Sequence, residues 1–164
     1  MENKIKNDLR MDKRLRAVFG EIDLGSVTSS PADTREGILA EQESEEAKQI
    51  KAITTMVSNS PHFKELVPET GLVTTTKEFI SQPDGNRIKI QYIRPDTDEE
   101  LPCVYYIHGG GMMVYSCFDE MYAAWGRCIA RQGVAVAMVD FRNAMWESSA
   151  PEIEPFPAGL NDCV

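Results

Sequence analysis

Three consecutive glycines, Gly109-Gly110-Gly111, follow His108 and precede Met112 and Met113. Glycines in a row are costly to order and contribute no side-chain packing, so a chain uses them where the backbone must take unusual dihedrals or come very close to something. Without side chains in the way, the N–H groups of Gly110 and Gly111 are free to point into a cavity. Two such donors can hold the oxygen that becomes negative when an ester carbonyl is attacked. Donors aligned in advance need no reorganisation, and losing one typically raises the barrier by about 2.7–4 kcal/mol. The alternative is a plain glycine-rich strand-to-helix turn, including one that cradles a phosphate. The phosphate version has less support, because no Gly-Lys-Ser/Thr follows and the pattern is not Gly-x-Gly-x-x-Gly.

Other chemistry-bearing residues are sparse. The histidines are His62 and His108, and the four cysteines, Cys103, Cys117, Cys128 and Cys163, contain no Cys-x-x-Cys pair. A zinc site therefore has thin support, and no metal is expected.

The elements that must position the glycines can be read on both sides of them. Tyr106 and Ile107 end the apolar run Cys103-Val104-Tyr105-Tyr106-Ile107, and a second run, Val134 to Val139, follows the glycines. Continuous apolar runs of this kind predict strands covered on both faces. Between them, Ser116-Cys117-Phe118-Asp119 has capping-box spacing with Asp in place of Glu or Gln. Tyr122, Trp125 and Ile129 then recur at helical spacing, with Arg127 and Arg131 near the end and Gly133 as a stop. Strand, helix, strand of this length is a βαβ unit. Upstream, Val73 to Ser81 and Arg87 to Arg94 flank the turn Pro83-Asp84-Gly85-Asn86, which predicts an antiparallel hairpin with Ile88, Ile90 and Tyr92 on one buried face. Residues 1–70 read as helical and charged. One amphipathic helix from Ile5 through Leu9, Met11, Leu15 and Val18 ends before Gly20. A second starts at Ser30-Pro31-Ala32-Asp33, carries Leu39, Ile50, Ile53 and Val57, and stops near Asn59-Ser60-Pro61. The acidic stretch Glu41 to Glu46 is expected on its solvated face. At the far end, Pro157 suits a helix start, with Ala158, Leu160 and Cys163 as its buried face.

At this point the chain resembles the hormone-sensitive-lipase-like family of α/β-hydrolase esterases and lipases, by motif over about residues 71–164. The matching residues are His108-Gly109-Gly110-Gly111 after the third strand, Val139-Asp140-Phe141-Arg142 at the end of the fourth, and Phe156-Pro157-Ala158. The resemblance implies an α/β fold: a mostly parallel central sheet flanked by helices, with residues 1–70 as a helical cap region and 71–164 as the first half of the hydrolase core. It implies that Gly110 and Gly111 supply oxyanion N–H groups, and that His108 and Gly109 support the loop. Met112 and Met113 are candidates for substrate contact, because flexible thioethers fill irregular pockets. One departure stands out. The segment Asn143 to Pro155 is longer than the family's usual short link, which bears on the mouth of the pocket and on substrate size.

The family's nucleophile sits in a Gly-x-Ser-x-Gly elbow, followed in chain order by an acidic residue and a histidine. No Gly-x-Ser-x-Gly occurs here. Ser116 and Ser148 have no histidine after them, His62 precedes the sheet, and His108 precedes any possible elbow, so the chain holds no triad residue. The expectation is the N-terminal portion of a longer enzyme, as a cleavage or truncation product or as one chain of a two-chain assembly. The complete protein would be a serine carboxylic-ester hydrolase whose small-molecule ester substrate meets a serine supplied by the remaining C-terminal part or a companion chain. The isolated chain is expected to be inactive. No cofactor is expected, since acyl transfer by serine, histidine and backbone dipoles needs neither metal nor nucleotide. The alternative from another class is a non-catalytic, receptor-like small-molecule-binding module on the same scaffold, because fold does not imply function.

Composition narrows the rest. The 164 residues carry 17 basic and 26 acidic side chains, a formal net charge of −9, which excludes a nucleic-acid binder working through a general phosphate-seeking surface, and equally a polybasic membrane anchor. The first ten residues mix charges without an apolar core, so no secretory signal is expected. The longest apolar run is far below the roughly 18 residues of a membrane span. Reduced thiols in the cytoplasm are the default expectation.

Overall fold

The structure, a computed structural model, describes residues 7–20 and 34–164. The chain divides into two compact units, Met1–His62 and Phe63–Val164. In the first, α1 (Lys13–Phe19) begins where the Asp12 carboxylate accepts the Arg14 N–H at 2.8 Å and ends where Gly20 donates back to Arg16. The helix is therefore shorter than its apolar spacing predicts: Leu9 and Met11 precede it, and Ile5 lies outside the described residues. The expected start at Ser30-Pro31-Ala32-Asp33 also lies outside them. The single long helix expected after that point is two, α2 (Arg35–Gln42) and α3 (Glu45–Ser58). Ser44 interrupts it. Its hydroxyl accepts the Ala47 N–H at 3.1 Å, a new N-cap, and Glu45 and Glu46 then favour the positive end of α3. The predicted stop holds, with Asn59 closing α3 on the Thr55 carbonyl.

The second unit is built on a four-stranded mixed sheet. A short helix, α4 (His62–Leu66), precedes it and was not predicted, being too short for any periodicity. The hairpin is present as β1 (Leu72–Ile80) and β2 (Arg87–Pro95), antiparallel with Thr75 opposite Tyr92. Then come β3 (Cys103–Ile107), α5 (Glu120–Ala130), β4 (Ala135–Asp140) and α6 (Ala158–Asp162). The strand order is β1-β2-β4-β3, with β2 antiparallel and β3 parallel to β4. Two clusters cover the two faces of this sheet. On one, Ile93, Val136 and Met138 pack with Tyr122 and Ala130 of α5. On the other, Ile88, Val139 and Phe141 pack with Cys163, just past α6.

Five expectations change in three dimensions. β2 is an interior strand, so Ile88 and Ile93, which face opposite ways, are its buried residues, while Ile90 and Tyr92 are only partly covered. β4 is buried at every residue but the partly covered Ala137, whereas β3 is an edge strand: Val104, Tyr105 and Ile107 are 37%, 48% and 46% exposed. On α5 the buried stripe is Tyr122, Ala123, Ala124, Gly126, Arg127 and Ala130, and Trp125 points outward. Gly126 explains the offset: a Cβ there would lie 2.3 Å from Met138 Sδ, so the helix settles on the sheet through its small residues. On α6, Gly159 and Asp162 are buried and Leu160 is exposed. Arg127, expected to complement the end of the helix, is instead an internal tie: it donates to the Val67 carbonyl at 2.7 Å and pairs with Glu120, while Arg131 donates to the carbonyls of Pro68 and Thr70.

Candidate functional site

β3 and β4 run parallel, so both release their chain at the same end of the sheet, where ligands of open α/β folds bind. After β3 comes the loop 108–119, and after β4 the segment 141–157. Each expected site residue belongs to the first. His108 is buried, its ring stacked on Phe141 with centroids 4.3 Å apart. Its Nδ1 lies 2.8 Å from the Gly109 carbonyl, so Nδ1 carries the proton and donates. Its Nε2 is buried without a partner, 3.9 Å from Asp140 Oδ1. Burial lowers the imidazole pKa below its ordinary value, against the opposing pull of the Gly109 carbonyl and Asp140, and the ring is held neutral.

Gly110 has φ +115° and Gly111 φ +64°. A Cβ on Gly110 would lie 2.3 Å from the Val114 carbonyl oxygen and 2.9 Å from Tyr115 Cδ2, so only glycine fits. The Gly110 carbonyl accepts the Met113 N–H at 3.1 Å, which closes a turn. Among the described residues, neither the Gly110 nor the Gly111 N–H donates a hydrogen bond. Met112 packs inward against the Ile88, Val139 and Phe141 cluster, whereas Met113 is 44% exposed with its methyl carbon over Gly111, 3.4 Å from where a Cβ would stand. Gly109 sits against Tyr122, whose phenol burial pushes up to about 12, so it remains an O–H. Two non-glycine residues of the loop, Met112 (φ 56°) and Tyr115 (φ 76°), are left-handed, and strain of about 1–3 kcal/mol each persists only where the surroundings hold it.

Those surroundings centre on the motif Val139-Asp140-Phe141-Arg142. Asp140 ends β4 as a fully buried carboxylate. Its Oδ1 accepts from Ser116 Oγ at 2.7 Å and the Cys117 N–H at 2.8 Å, and its Oδ2 accepts the Ser149 N–H at 2.7 Å. Here the expected capping box is corrected. Asp119 does reach back to the Ser116 N–H at 3.1 Å, but the Ser116 hydroxyl goes to Asp140, and α5 starts only at Glu120. Two residues on, Arg142 donates to Asp162 from its backbone N–H (2.9 Å), Nε (2.9 Å) and Nη2 (2.8 Å), and to Asp84 in the β1–β2 turn from Nη1 (2.6 Å). Burial alone would raise the Asp162 pKa, but Arg142, with help from Ser81, outweighs it and holds it below the usual carboxylate range. The signal available in sequence was an Asp and an Arg following a wholly apolar strand, where charged residues need partners.

The remaining titratable groups do not suggest a second centre. Burial pushes the Cys117 thiol well up, so it is a packed core residue and no nucleophile. All four cysteines are free thiols. Among the described residues, no group of three or more His, Cys, Asp or Glu could hold a metal ion, and no helix is long and apolar enough to cross a membrane. His62 lies at the start of α4, and Ser148 on the segment after β4.

No family model matches the chain. Among curated proteins it is similar to Gut esterase 1 of Caenorhabditis elegans, 34% identical over 65 residues, which is 40% of this chain and 12% of that protein. It is also similar to tabersonine synthase of Catharanthus roseus, 33% identical over 97 residues, 58% of this chain and 28% of that protein. Among solved structures, esterase Est22 matches with a TM-score of 0.82 at 48% identity, over 99% of this chain and 47% of Est22, and has also been solved with p-nitrophenol. Brefeldin A esterase, described as a bacterial homologue of human hormone sensitive lipase, matches with a TM-score of 0.67 at 28% identity, over 96% of this chain and 43% of that one. The chain thus spans about half the length of these solved structures. The resemblance carried by His108-Gly109-Gly110-Gly111 is borne out by these esterase neighbours, one of them described as a homologue of hormone sensitive lipase: the chain has an α/β-hydrolase fold, a mixed sheet flanked by helices, and covers about half of each.

Proposed function

We propose that this chain is the N-terminal portion of a hormone-sensitive-lipase-like carboxylic-ester hydrolase. In that enzyme, serine, acid and histidine come from the remaining C-terminal part, in the same protein or on a companion chain. The serine oxygen attacks the acyl carbon and passes its proton to the histidine. The carbonyl oxygen becomes an alkoxide, which the N–H groups of Gly110 and Gly111 stabilise. Collapse expels the alcohol, and water then releases the acid. The observation that carries this reading is the pair of amides without an acceptor among the described residues, in a turn at the carboxyl end of β3 that residues 143–146 hold. The 48% identity to esterase Est22 supports it. Neutral, buried His108 serves the loop and not the proton transfer. Met113, over Gly111 and partly exposed, is the methionine placed to touch substrate.

The test uses the complete protein with a short-chain p-nitrophenyl ester, a probe suited to a relative that has been solved with p-nitrophenol. Hydrolysis that a serine-reactive organophosphate abolishes is the expected outcome. No turnover, with the elbow serine present, would exclude the esterase and favour the receptor-like module. Within an active enzyme, Gly110→Ala is expected to lower kcat by about 10²–10³-fold, because the new Cβ must displace the Val114 carbonyl and turns the donor away. The 164-residue chain alone is expected to be inactive. A cytoplasmic location belongs to the same proposal, resting on the free thiols, and cell fractionation tests it.

A further inference from the structure

The longer segment after β4 is the part of the chain that the family resemblance leaves without a role, and it makes bonds to the glycine loop. Ala144 donates its N–H to the Met112 carbonyl at 2.9 Å, and Met145 and Trp146 donate to the Met113 carbonyl at 3.1 and 3.0 Å. The Asn143 side chain donates from Nδ2 to the Tyr115 carbonyl at 2.6 Å. The two left-handed residues, Met112 and Tyr115, thus each have their carbonyl taken by this segment.

Asn143 is the side chain in this brace, and its position is unusual. It is fully buried, and its own carbonyl accepts the Glu154 N–H at 3.1 Å. Its amide oxygen Oδ1 is buried with no partner among the described residues. A leucine of similar size would fill the same space without an unpaired oxygen, so packing does not account for an amide here. What the amide supplies is the bond to Tyr115. The Val114 carbonyl oxygen and Tyr115 Cδ2 stand 2.3 and 2.9 Å from where a Cβ on Gly110 would be, so the stretch that Asn143 holds lies directly against Gly110.

We propose that Asn143 is a positioning residue for ester hydrolysis: its Nδ2–H, bonded to the Tyr115 carbonyl, holds the strained 112–115 turn in the form that aims the Gly110 N–H at the developing alkoxide. The inference rests on the esterase reading above. It acts through Gly110, so it affects the transition state more than substrate binding.

Asn143→Leu and Asn143→Asp in the complete enzyme test this; both conserve size and remove the donor. Steady-state kinetics on a p-nitrophenyl ester are read together with the affinity for a trifluoromethyl ketone, which adds serine to form a bound alkoxide. The expected result is kcat lower by about 10–10²-fold with KM within about threefold, and ketone affinity falling in step with kcat/KM. Asn143→Ser replaces either variant that fails to give a cooperative melt. Folded variants whose kcat stays within about twofold of wild type would overturn the inference and leave the esterase standing, as would a loss of kcat without loss of ketone affinity. A wild-type protein that turns over no ester overturns both.

Discussion

β3 and β4 are neighbours in one sheet, parallel, with similar apolar sequences, yet they meet opposite circumstances. Val136, Met138 and Val139 of β4 have no exposed surface, sandwiched between the α5 and α6 sides with a strand on each edge. Among the described residues β3 has β4 on one edge and no strand on the other, and its Val104, Tyr105 and Ile107 are exposed. An apolar run reports that a strand is made to be covered, but not by what. In β4 the cover lies within these 164 residues. The chain spans about half of the related solved structures, and a bare apolar edge such as β3 presents is a site for further pairing.

The same contrast extends to the two loops that leave these strands. Past β3 the chain turns on glycine backbone and a neutral histidine. Past β4 it turns on Asp140 and Arg142, charged groups inside the protein whose partners must come from elsewhere in the fold. Among the described residues, the first loop presents amides without an acceptor, and the second holds it through Asp140, Asn143 and the N–H groups of Ala144, Met145 and Trp146.

The largest expected break in this comparison is Val139→Asp against Val104→Asp. The first buries an unpaired carboxylate between Ile88 and Phe141 and should cost more than about 4 kcal/mol, enough to abolish a cooperative melt. The second, on the open face of β3, should cost under about 1 kcal/mol in this chain, by circular dichroism on the same preparation. Equal effects would mean that β3 is covered as β4 is. Next in size is Arg142→Ala, which leaves the buried Asp162 carboxylate uncompensated and should cost about 3–5 kcal/mol in chemical denaturation. Asp84→Ala, on the half-exposed arm of the same guanidinium, should cost clearly less than Arg142→Ala in the same measurement.

The smallest effect separates the two strand ends by pH. His108, past β3, has its folded pKa lowered from 6.5, so the unfolded chain takes up the proton first. The stability it contributes is full above about pH 6.5 and declines as pH falls through the folded value. Asp162, the partner of Arg142 past β4, has its pKa lowered from 3.8, so its contribution is intact until pH falls below about 3.8 and is lost through its folded value. Melting temperature against pH should therefore fall in two windows, and His108→Gln should flatten the upper one alone.

Much of this was legible in the residues. The hairpin followed from its turn and alternation, β4 from its apolar run, the βαβ unit from periodicity, and the glycine loop from His108 to Gly111. What could not be read were the partners. Ser116 has the spacing of a helix cap because Asp119 stands three residues on, but the fold starts α5 only at Glu120, and the hydroxyl donates to Asp140 while accepting the Phe118 N–H. Trp125 has the right spacing for a buried helix face, but Gly126 and its alanines allow closer packing and take that face. Asn143 carried no signal at all, being one polar residue in a segment without periodicity.

By itself the sequence determined which segments form elements, where the backbone must be bare, and that no serine-histidine pair in the expected order is present, since these depend on dihedral preference, short-range spacing and residue identity. The tertiary structure alone decided which carboxylates hold the loops, which strand is the edge, and that Asn143 braces the turn beneath Gly110. Those outcomes join residues 20 to 60 positions apart, and no local propensity encodes a contact made at that separation.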